Sequence, residues 1–80
     1  MSPARTVRHP SLRRRVRWEI VEASDGFFTV SRDGREVARD VPGRAKAVAV
    51  VKRMFTDGDS VLYVMPNGAQ QIITRTVRGG

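Results

Sequence analysis

Val16, Trp18 and Ile20 alternate with Arg17 and Glu19, a period of two that predicts a half-buried strand with one apolar face. Ala23-Ser24-Asp25-Gly26 supplies a turn, with glycine where a positive φ is required. Phe28 and Val30 carry the alternation into a second strand and leave Phe27 pointing the other way. Arg32-Asp33-Gly34 is a second hairpin signal, so a third strand is expected over residues 35–41, carrying Val37 and Val41. Three strands in a meander result.

Beyond Pro42 the period lengthens. Ala47, Val48, Val51, Met54 and Phe55 gather on one side of a helix while Lys46 and Arg53 lie nearly opposite. Pro42-Gly43 and Asp57-Gly58 bound it. The stretches SVLYVM, PNG and QQIIT then predict strand, turn and strand. The order β-β-β-α-β-β is a two-layer α+β fold, with one helix packed on an antiparallel sheet. Residues 1–15 are expected as a disordered arm and residues 16–78 as a single small domain, because the start of the chain offers almost nothing to bury.

Charge sharpens that division. Of a net +7, six positive charges stand before the first acid, Glu19, whereas from Trp18 onward nine basic residues face eight acidic ones. The excess belongs to the arm. At 80 residues without cysteine, the chain has neither disulfides nor a thiolate zinc site and must rest on apolar burial alone. Its longest apolar run is far below the roughly 20 residues of a membrane span, and no apolar segment of a secretory signal follows the basic start. A soluble, cytoplasmic protein is expected.

Trp18 with Ile20 in a first strand, Gly26 followed by Phe27 and then Val30, an alanine-rich helix, and the closing LYVMPNGAQQI resemble the bacterial domain-of-unknown-function family 2188. The resemblance runs from Trp18 to about Ile73. It implies the fold and no activity, since that family has none settled. Gly43-Arg44-Ala45-Lys46 and Met65 depart from the family's usual helix start and late histidine. In architecture alone, a three-stranded meander with a packing helix is similar to the plant ethylene-responsive DNA-binding domain and to the arm-binding domains of tyrosine recombinases, whose sheets enter the major groove.

The residue types point to a polyanion. Arg5, Arg8, Arg13, Arg14 and Arg15, with Arg17, supply guanidinium forks that pair with phosphates and release condensed counterions. Arg32, Arg35 and Arg39 extend this set along the meander if they share an exposed face with Arg17; otherwise they make cross-strand pairs with Glu36 or Asp40. Arg44 and Lys46 begin the helix, where free N–H groups beside Gly43 could hold an anion. Trp18 and Tyr63 read first as core residues and second as stacking rings for bases.

His9, alone and without a carboxylate or thiol partner nearby, argues against a metal or general-base role. Asp57 and Asp59 read as a turn in preference to a cation site. The sequence therefore predicts a non-enzymatic nucleic-acid-binding protein, DNA first, with no cofactor, no small-molecule substrate and no membrane partner. In the alternative, the chain is a protein-interaction module or homodimer that pairs through a strand edge or Phe27 and docks its arm on an acidic partner.

Overall fold

The computed structural model describes residues 15–79. Its elements are β1 (Arg17–Glu22), β2 (Phe27–Arg32), β3 (Arg35–Pro42), α1 (Arg44–Met54), β4 (Ser60–Val64), β5 (Gln70–Ile72) and α2 (Thr74–Gly79). The strands form one sheet in the order β3-β2-β1-β4-β5. Helix α1 packs on β2, β3 and β1, and α2 on β4, with the two helices touching. This is the expected two-layer α+β arrangement, helices on one face and the other face open.

The meander forms as its turns dictate. Asp33 and Gly34 take φ of 52° and 84°, the two-residue hairpin geometry whose twist matches the flanking strands. Arg32 therefore faces Arg35 across the ladder. Asp33 also ties this turn to β1, accepting the Arg17 N–H on Oδ1 at 2.9 Å and donating its own N–H to the Arg17 carbonyl at 2.8 Å.

The chain departs from the sequence reading in several places. The sheet is mixed, because β4 pairs with β1 in parallel: β1 and β3 run the same way, α1 returns across the sheet, and β4 resumes that direction beside β1. Val37 is 42% exposed, since register shifts in the β2–β3 ladder place Ala38 opposite Val30. Finally, β5 is only three residues long and the chain turns into α2. Ile73 and Val77, four residues apart, are buried there, and Thr74 Oγ1 accepts the Val61 N–H at 2.9 Å.

One core lies between sheet and helices. Trp18, Ile20, Val30, Val51 and Val61 are fully buried, and Phe28 and Tyr63 pack with ring centroids 6.3 Å apart. Met54, expected among them, is 47% exposed at the end of α1. The sheet's edges are a very short β5 and a β3 broken by register shifts and ending on Pro42, features that discourage strand addition. No helix among the described residues is long and apolar enough to cross a membrane.

Candidate nucleic-acid interface

Arg5, Arg8, Arg13 and Arg14, with His9, lie outside the described residues. Arg15, assigned to the arm, is described, and its side chain runs beside Gly58. The meander arginines do not share a face. Arg32 pairs with Trp18 and so stands on the helix side, its guanidinium 5.8 Å from the Trp18 ring centroid. Arg35, opposite Arg32, stands on that side too. Arg17 alternates with Trp18 onto the open side. Arg39 is held at 2.6 Å by Glu36, and Glu36 pairs with Ser31, also on the open side.

The open face therefore presents Arg17 and Arg39 interleaved with Glu19 and Glu36. It also carries Val21, Phe27, Leu62, Val64 and Ile72, of which Phe27 is 42% and Ile72 68% exposed. A broad depression there is lined by Arg17, Glu19, Asp33, Leu62 and Ile72. Such a face is mixed in charge and partly apolar, so a continuous phosphate track does not suit it.

The helical layer is different. Helix α1 reads RAKAVAVVKRM and α2 reads TRTVRG, so the two hold six basic residues and no acid. Arg44, Lys46, Lys52, Arg53, Arg75 and Arg78 are all exposed. The remaining described residues, strands and connections, hold five basic residues against all eight acids. The helical layer is thus the more cationic side, although Glu22 and Asp59 stand on that side of the sheet and Asp57 sits beside Lys52 and Arg78. Lys52 and Arg78 line one cleft with Phe55, Val77 and Asp57, which brings α2 alongside the end of α1.

Helix α1 starts from Gly43 at φ 115° without a side-chain cap and with no acid in its first turn. Arg44 folds over Tyr63, 4.6 Å from the ring centroid, and Tyr63 donates its hydroxyl to Glu22 Oε1. Burial first, and then the Glu22 carboxylate, raise the Tyr63 pKa above its ordinary value against the opposing pull of Arg44. Trp18 and Tyr63 are both buried and present no ring to a base.

Asp59 belongs to the scaffold. Its Oδ1 accepts the Val16 N–H at 3.1 Å, and its Oδ2 accepts Trp18 Nε1–H at 3.1 Å, the Thr56 N–H at 3.0 Å and the Thr56 hydroxyl at 3.2 Å. Burial by itself would raise its pKa, but these donors outweigh it and hold the carboxyl below the ordinary range. Among the described residues no group of three or more histidine, cysteine or acidic side chains could hold a metal ion.

Sequence reasoning placed the excess charge in the arm and named Arg44 and Lys46 at the start of α1, but missed Lys52, Arg53, Arg75 and Arg78. The signal was present: residues 44–54 and 74–79 lack any acid, whereas the intervening stretch holds Asp57 and Asp59. No family model, no curated protein and no solved structure matches the chain.

Proposed function

We propose that this protein is a small, non-enzymatic nucleic-acid-binding protein that grips the phosphate backbone. One observation carries the reading: the two helices hold six exposed cations and no acid. A surface of that kind attracts polyanions and releases their counterions. The arm's arginines add to the same field, and Arg32 and Arg35 stand on the helix side of the sheet. Orientation is assigned to the helical layer instead of the open meander face, where acids interrupt the arginines.

The test is a titration of the full chain against a labelled duplex at salt concentrations from about 50 to 200 mM. With six or more phosphate contacts, affinity is expected to fall by about 10³-fold or more across that range. No complex at any salt overturns the reading. Binding to a protein partner or second copy that is indifferent to salt would favour the alternative, in which Phe27, Leu62 and Ile72 on the open face serve as a protein-docking surface.

A further inference from the structure

Resting on the nucleic-acid reading just given, we infer that the ligand is double-stranded and that α1 lies along one of its grooves with phosphate rows on both sides. The arrangement of α1 is the ground for this. At about 3.6 residues per turn, Ala45 and Ala49 fall on its exposed side, with Lys52 on one flank and Lys46 and Arg53 on the other, while Arg44 lies nearer the core, over the Tyr63 ring. Arg44, Ala45, Val48, Ala49 and Lys52 line a shallow, open surface. Cations thus stand on both flanks of the alanines, Lys46 and Arg53 about 10 Å apart along one of them at about 1.5 Å per residue.

A single strand offers one phosphate row and needs rings on which its bases can stack. This face has neither the single track nor the rings. Trp18, Phe28 and Tyr63 are buried beneath the helices, Phe27 is on the opposite face, and Phe55 packs against the core. A duplex offers two phosphate rows flanking a groove, and the major groove, about 12 Å wide, admits an α-helix. The alanine floor lets the helix backbone come close, and the flanking cations then meet both strands. Arg75 and Arg78 on α2 add to the cationic side next to the end of α1.

The experiment compares the full chain binding a duplex with its binding of either constituent strand, at one low salt concentration. It adds two variants with the same charge change on opposite faces: Ala49→Glu on α1 and Gln70→Glu on β5, both at exposed positions and both checked for folding by circular dichroism. The duplex is expected to bind at least tenfold more tightly than the single strands. Ala49→Glu is expected to weaken duplex binding at least tenfold and Gln70→Glu by less than threefold. Single strands that bind as well as the duplex, or two variants that weaken it equally, overturn the inference while leaving nucleic-acid binding itself intact. Failure of every strand form to bind instead sinks the reading beneath it.

Discussion

Asp59 shows how one side chain joins distant parts of the sequence: it gathers the start of β1, the Trp18 indole and the start of the α1–β4 connection onto one carboxylate. The ionised form accepts four hydrogen bonds, so its pKa in the fold lies below the ordinary 3.8. A depressed carboxyl stabilises the fold fully above that ordinary value, and the contribution is lost as pH falls through the folded pKa. Thermal stability is therefore expected to drop as pH falls below about 4. Asp59→Asn, which turns an acceptor into a donor against donors, is expected to cost about 3 kcal/mol near neutral pH and to flatten the acid limb. Urea unfolding at pH 7 and pH 3, followed by the fluorescence of the single tryptophan, measures both; an unchanged midpoint in the variant would contradict this role. The turn reading of Asp57-Gly58-Asp59 was legible from the sequence. The bond to Trp18, 41 residues away, was not, because local pattern carries no information about which donor a buried carboxylate will meet.

At the scale of elements, β1, β2, the Asp33-Gly34 turn and α1 could all be read from period and punctuation. The buried set Val16, Trp18, Ile20, Phe28 and Val30 is the one that alternation selects. Val37 and α2 could not be read so simply. Bulges shift which residue of β3 faces the core, and they arise from the pairing of two strands, beyond the reach of either alone. Helix α2 has only six residues, too short to propagate on its own; Ile73 and Val77 hold it by packing, and that spacing was its only trace. The entry to α1 rests on Gly43, whose φ of 115° and ψ of 144° belong to a region open essentially to glycine. A Cβ there would meet nothing within 4 Å, so the cost of Gly43→Ala is backbone strain alone. It is expected to be about 1–3 kcal/mol, read from denaturant midpoints; an unchanged midpoint would mean that the helix start can relax.

On the scale of the whole molecule, the polarity of the folded part follows from where the acids went. Two of them, Asp33 and Asp59, secure turns and connections to β1; Glu22 caps Tyr63; Glu36 pairs with Arg39. The helices kept none. That division was written in the sequence, but it becomes a surface only because α1 and α2 share one layer, a fact of topology that the count of charges along the chain conceals. The candidate site was therefore legible in part: Arg44 and Lys46 were named at the start of α1, whereas Lys52, Arg53, Arg75 and Arg78 were not, and the open meander face is interrupted by Glu19 and Glu36. The most direct measurement is the slope of log affinity against log salt concentration for duplex binding, in the full chain and in Lys46→Gln/Arg53→Gln. Each lost phosphate contact removes about 0.9 from the slope, so the double variant is expected to be shallower by about 1.8. A slope unchanged by removing both cations would contradict the assignment of the helical layer to the phosphate backbone.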